Sequence, residues 1–232
     1  MSIKFGEVLK ATLIKRPSEK IKSPYVADIR LEDGTISLAH APSLGLGGIL
    51  KPGSELMVTK SKNPKAKTSC VIEAIKEGQT WVGNVPLHAN RLIGEVLREE
   101  YGEDDVKAEV KHGDSRFDFK ILSKDIYVEV KSAHIKRGES ALFPVGYKKP
   151  KAVTVSERAN KHVKHITEIK GMLIFVVQRD DCKNFRPNRE DDEIFSNLIK
   201  KANEAGVEIR AYEAKVDIEG IKIIKKMNIL YV

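Results

Sequence analysis

The stretch Met172-Leu173-Ile174-Phe175-Val176-Val177 constrains this chain most. Six consecutive apolar residues are too few to cross a bilayer, but they read as a strand buried on both faces. Such a strand needs covering helices, and the flanking sequence supplies them. Residues 84–100 carry Leu87, Leu92 and Val96, interleaved with Arg91, Glu95 and Glu99, at the spacing of an amphipathic helix. Residues 155–169 read as a second helix with Ser156 as its N-cap. Residues 193–205 read as a third, closed by Gly206. Further strands are expected at 106–111, 116–122, 125–133 and 207–212. The expected architecture is a mixed α/β sheet with helices packed on it.

The first 80 residues have another texture. Short strands are expected at 7–15, 25–31, 35–40, 56–58 and 70–75. Glu32-Asp33-Gly34 and Pro52-Gly53 mark turns between them. Five short strands predict a small β-barrel of the OB type, with an SH3-like barrel as the alternative. The expected domains are therefore residues 1–80 and 81–232. The chain holds 41 basic and 33 acidic side chains, a net charge of +8. Residues 1–80 carry +5 of it and are the more basic part per residue. That balance suits a polyanion such as DNA, single- or double-stranded, and no membrane. A second copy of the chain is a further candidate partner. Cys70 and Cys182 are far apart and lack metal-site spacing, so neither a disulfide scaffold nor a structural zinc is expected. With no apolar segment typical of a secretory signal near Met1, the expected compartment is the cytoplasm.

Two neighbouring strands hold the charged residues of most interest. In Ser115-Arg116-Phe117-Asp118-Phe119 the alternation puts Phe117, Phe119 and Ile121 on one face and Asp118 and Lys120 on the other. In Tyr127-Val128-Glu129-Val130-Lys131-Ser132, Glu129 and Lys131 share the face opposite Val128 and Val130. If the two strands form a hairpin with their apolar faces on one side, Asp118 falls opposite Glu129. Close carboxylates repel unless a cation lies between them, and Mg²⁺ or Mn²⁺ accepts such a pair together with water and phosphate oxygens. Lys131 would stand beside that ion, orienting a water or steadying charge on a phosphate. Solvated ion pairs on an exposed sheet face would give the same pattern.

Longer stretches carry a resemblance. Ser115-Arg116-Phe117-Asp118-Phe119, Tyr127-Val128-Glu129-Val130-Lys131-Ser132, Ala141-Leu142-Phe143-Pro144, Ser156-Glu157-Arg158 with Lys161-His162, and Phe175-Val176-Val177-Gln178-Arg179-Asp180-Asp181 resemble the sugar fermentation stimulation protein A (SfsA) family in order and approximate spacing. Leu50-Lys51-Pro52-Gly53-Ser54, Lys62-Asn63-Pro64-Lys65 and Trp81-Val82-Gly83 with Asn90-Arg91-Leu92 extend the similarity over most of the chain. The resemblance implies an OB-fold joined to a nuclease-like domain of the PD-(D/E)XK type. It also implies DNA binding and a link to the regulation of sugar (maltose) metabolism. It puts Asp118, Glu129 and Lys131 on metal and catalytic positions. The chain departs from the family at Ala41-Pro42-Ser43-Leu44-Gly45-Leu46-Gly47, where a polar Asn-Thr pair is expected, and in a lysine-rich insertion at 145–155 that reads as a DNA-contacting loop or a solvated linker.

Other residues complete the candidate set. The resemblance lets Glu95 complete a metal site from its helix, with Glu109 as a rival. Val130 would offer its carbonyl as a ligand. Lys161 and His162 are candidates to face a scissile phosphate. His165 follows His162 by three residues without a third metal ligand. Lys60, Lys62, Lys65 and Lys67, with Arg116 and Arg158, are the candidate phosphate contacts. Tyr25 and Trp81 are candidates for stacking bases, and Gln178 ends the buried strand. His40 and His88 show no partner in the sequence. Three functions follow from these residues: a Mg²⁺- or Mn²⁺-dependent nuclease acting on DNA, a DNA-binding regulator that uses the same fold as a scaffold, or a protein-binding module.

Overall fold

A computed structural model describes residues 1–146 and 152–231. The lysine-rich insertion lies partly outside the described residues. Among the described residues, seventeen strands form three sheets, joined by three α-helices and a short 3₁₀ turn.

Residues 8–83 form the barrel. Its strands are β2 (Val8–Lys15), β3 (Val26–Leu31), β4 (Ile36–His40), β5 (Glu55–Lys60), β6 (Cys70–Glu77) and β7 (Thr80–Gly83), ordered β4-β3-β2-β5-β6-β7. A parallel pairing of β4 with β6, Ala39↔Cys70 and His40↔Val71, closes five of them into an OB-like barrel. The closure follows from alternation: Ala11, Leu13, Ala27, Ile29, Leu56, Val58 and Ile72 point inward and fill the interior. The expected turn at Glu32-Asp33-Gly34 forms. Asp33 Oδ1 accepts from Thr35 N at 2.8 Å, and Gly34 takes the φ of +86° that favours glycine.

The large sheet has the order β1-β16-β15-β13-β10-β9-β8. Its members are β1 (Ser2–Lys4), β8 (Val106–His112), β9 (Ser115–Ile121), β10 (Ile126–Ala133), β13 (Met172–Val177), β15 (Glu208–Asp217) and β16 (Gly220–Lys226). The central strands β10, β13 and β15 run parallel, and every residue of β13 is buried. Helix α1 (Pro86–Tyr101) packs Leu92, Ile93 and Leu97 into one core. Helices α2 (Glu157–Glu168) and α3 (Glu193–Glu204) pack Val163, Ile166, Phe195 and Ile199 into the other. Ser156 caps α2 by accepting from Ala159 N at 3.2 Å, and Asp192 caps α3 by accepting from Phe195 N at 3.0 Å.

Two features depart from the sequence reading. Ser2–Lys4 pairs with β16 in the large sheet rather than joining the barrel. A four-stranded sheet, ordered β11-β12-β14-β17, also forms from β11 (Ile135–Arg137), β12 (Ser140–Phe143), β14 (Asn184–Pro187) and β17 (Asn228–Ile229). Its strands are too short for alternation to reveal; Phe185 of β14 stacks on Phe175 of β13 with ring centroids 4.2 Å apart. Buried polar contacts join barrel and large sheet. Gln178 Nε2 donates to Val85 O at 3.1 Å, Gly83 N donates to Gln178 O at 2.9 Å, and His88 on α1 meets Glu73 on β6 at 2.8 Å. Among the described residues no helix is long and apolar enough to cross a membrane.

Candidate active site

The site begins where β9 breaks its alternation. The β9–β10 ladder runs from Ile121↔Ile126 to Phe119↔Val128 and stops. Val130 N then donates to Asp118 Oδ2 at 2.7 Å, so a side-chain carboxylate takes the place of the next backbone acceptor. On β8, Glu109 lies between the rungs Ala108↔Phe119 and Val110↔Phe117 and takes a φ of +57°. Phe119 and Ile121 pack into the core under α1, while Phe117 packs into the core with α2 and α3. This corrects the expectation that all three share one face.

Glu129 projects to the α2 side and is buried. Its Oε1 accepts from Lys131 Nζ and contacts His162 Nδ1. Its Oε2 is buried and has no partner among the described residues. Lys131 Nζ also lies 3.5 Å from His162 Nδ1. Burial, and then the charge of Glu129, push the Asp118 carboxyl up to about 6, against the opposing pull of Val130 N, Lys131 and Asn90. Burial also works against the charged form of Glu129, but the His162 hydrogen bond and the Lys131 charge outweigh it and hold that carboxyl below its ordinary value.

Sequence reasoning passed over the role of Asn90. Its Nδ2 donates to Asp118 Oδ1 at 2.5 Å from the first half of α1. The available signal was a polar residue sitting between the buried positions Ala89 and Leu92. Glu95, one turn further along α1, is exposed and makes no hydrogen bond or ion pair with the described residues. Glu109 is also exposed and pairs with Arg116 at 2.7 Å. Lys161 and Arg158 are exposed on α2, three residues apart and so on the same side of the helix. His165 is turned away from Glu129, within 2.7 Å of Ser115 Oγ and 3.0 Å of His112 Nδ1. Among the described residues no group of three or more His, Cys, Asp or Glu side chains is arranged to hold a metal ion.

On the barrel, Lys62, Lys65 and Lys67 are exposed in the β5–β6 loop, and Lys60 pairs with Glu7 at 3.3 Å. Lys60 and Lys67 line a groove of about 720 Å³ with Lys20, Leu9, Ile36 and Leu38. No aromatic ring lines it; Tyr25 is exposed beside His40, and Trp81 packs against the α1 core under Lys76.

Two family models match the chain. One, described as the SfsA N-terminal OB domain, covers residues 25–84. The other, described as the sugar fermentation stimulation protein RE domain, covers residues 87–220. A sugar fermentation stimulation protein homologue of Geobacter sulfurreducens is 32% identical, over 94% of this chain and 94% of its own. A homologue from Trichodesmium erythraeum is 35% identical, over 90% of this chain and 86% of its own. The solved structure of Pyrococcus furiosus SfsA in complex with Ca²⁺ matches 99% of each chain with a TM-score of 0.83 at 22% identity.

Proposed function

The chain belongs to the sugar fermentation stimulation protein family, and from that premise we propose that it binds DNA and hydrolyses its phosphodiester bonds with a divalent metal ion. The observation that carries this reading is the Asp118–Glu129 pair. A half-buried and a buried carboxylate act on each other electrostatically, and one buried oxygen, Glu129 Oε2, has no donor among the described residues. A hard cation relieves both costs. One or two carboxylates suffice for Mg²⁺ or Mn²⁺, which keep several waters and take phosphate oxygens. Asp118, Glu129 and the Val130 carbonyl would hold the ion, which when bound supplies Lewis acidity and a more acidic water. The Ca²⁺ in the Pyrococcus furiosus relative supports a divalent ion at this fold.

The chain's own groups have separable tasks in this reading. Val130 N and Asn90 fix both oxygens of Asp118. His162 holds Glu129 Oε1 from α2 and is a positioning residue. Lys131 would bring its ammonium to the charge growing on the phosphate. Exposed Lys161, Arg158 and the barrel lysines would draw in the polyanion.

A second reading, a DNA-binding regulator with a silent site, has one observation in its favour. Lys131 and His162 already engage Glu129 Oε1, so that half of the site is neutralised without a metal. Supercoiled plasmid and a single-stranded oligonucleotide, incubated with Mg²⁺ or Mn²⁺, separate the two. Wild-type cleavage that falls by about a hundredfold in Asp118→Ala and Lys131→Ala is expected. Undiminished cleavage in both variants removes the assignment. Metal-free, salt-sensitive DNA binding without cleavage supports the regulator.

A further inference from the structure

A cavity of about 290 Å³ opens beside the carboxylate pair, between the barrel and the large sheet. Three of its lining residues, Asn90, Val130 and Lys131, belong to the site itself. An occupant would therefore lie next to the position proposed for the scissile phosphate. The opposite wall is apolar, made by Pro86, Leu142, Phe143 and Val145, and Ser43 and Ser132 add hydroxyls. No carboxylate lines it, which disfavours a second cation. Its single cationic side chain, Lys131, is already bound to Glu129, and the His134 imidazole is kept neutral by burial, so a second phosphate is poorly served as well. A flat, uncharged group with an apolar face and hydrogen-bonding edges fits this lining.

The roof of the cavity is the barrel segment that departs from the family pattern. Leu46 anchors it in the barrel core. Arg16 Nη2 donates to Ser43 O at 2.7 Å and fastens its start. A Cβ at Gly45 would lie 3.3 Å from Val145 O, and one at Gly47 would lie 2.9 Å from Ile135 Cδ1. The roof is thus seated on the large domain at two points and does not lift without breaking that contact. The space below, about 290 Å³, has room for a single base.

Resting on the hydrolytic reading above, the geometry points to this cavity as a nucleobase pocket: the strand is cut where an unpaired or extruded nucleotide places its base between the barrel loop and β12, beside Lys131. Enzymes that act on one nucleotide of a duplex take it out of the stack in this way, least expensively where it is already single-stranded.

Filling the pocket tests this. A single-stranded oligonucleotide carrying 2-aminopurine is titrated with metal-free protein, following emission for base environment and anisotropy for total binding. Emission is expected to rise about twofold or more with wild type and to stay flat with Val145→Trp, with total affinity within about threefold. In Mg²⁺ or Mn²⁺, Val145→Trp is expected to slow cleavage of the intact strand about tenfold and to leave a strand with one abasic position unaffected. Emission that does not change on wild-type binding overturns the pocket, as does equal slowing of the intact and abasic strands. An emission response that Val145→Trp abolishes, with no cleavage of any substrate, upholds the pocket and removes the hydrolytic reading instead.

Discussion

Two buried glutamates each meet a histidine in this molecule, and they are completed differently. Glu73, in the barrel, accepts from Thr59 Oγ1 at 2.7 Å through one oxygen and meets His88 Nε2 at 2.8 Å through the other. Neither Glu73 oxygen is left over; the ring nitrogen His88 Nδ1 is without a partner among the described residues. Glu129, in the large sheet, gathers Lys131 and His162 on a single oxygen and leaves Oε2 bare. Burial of a carboxylate oxygen without a donor is costly. At the domain junction the chain meets that cost with its own hydroxyl. Beside Asp118 it leaves the oxygen open, and under the hydrolytic proposal that is the difference between an acid that joins two domains and one that takes an external cation.

The largest expected effect is on turnover. Glu129→Gln should lower divalent-ion-dependent cleavage by at least about a hundredfold, while Glu73→Gln should lower it by less than about threefold at a temperature where both are folded. Equal losses in an oligonucleotide assay would break the contrast. Stability should separate the pair far less than turnover does. Glu73→Ala removes one partner of a buried pair and should cost about 3 kcal/mol in urea unfolding. Glu129→Ala strips Lys131 and His162 of their shared partner and should cost about as much, less what is regained when the repulsion on Asp118 is relieved.

Metal linkage comes next. Mg²⁺ or Mn²⁺ at ten times its Kd should stabilise the chain by about 1.4 kcal/mol. Thermal melts should show this gain retained in Glu73→Gln and absent in Glu129→Gln. The smallest effect is on pH dependence in the metal-free protein. The Asp118 carboxyl is raised to about 6, so between pH 6 and 4 the folded chain holds a proton that the unfolded chain has released. This group therefore makes stability rise as pH falls from 7 to 5. His134, buried and lowered to about 4, works in the opposite direction over the same range, because only the unfolded ring takes up a proton. Asp118→Asn should stabilise the chain by about 1 kcal/mol at pH 7 and make its loss of stability between pH 7 and 5 steeper. Chemical denaturation at the two pH values reads both, and an unchanged slope would mean that Asp118 is not burdened by its neighbour.

Much of this was legible in the sequence because alternation and helical spacing are local. The barrel strands, the three helices with the Ser156 cap, and the fully buried strand β13 follow from which residues are apolar. The reversal at Asp118 was not legible, since alternation shows neither that Phe117 leaves the core that holds Phe119 nor that a carboxylate stands in for a backbone acceptor. Asn90 and Glu95 show the same limit on a helix. Both are polar, and only the packing of α1 decides that Asn90 meets Asp118 while Glu95 faces solvent. His88 was without an evident partner because Glu73 lies fifteen residues away across a domain junction.

The pairing of Ser2–Lys4 with Gly220–Lys222 sets an order of assembly. A Cβ at Gly220 would lie 1.9 Å from Ile3 O, so the slot for the leading segment is cut to bare backbone. During synthesis that segment waits, unpaired, until Gly220–Lys226 is made, whereas the barrel has every strand in hand by residue 83. Ser2–Lys4 is thus a clasp that fastens only once β16 exists, and weakening it would act on the completed large sheet and leave barrel closure untouched.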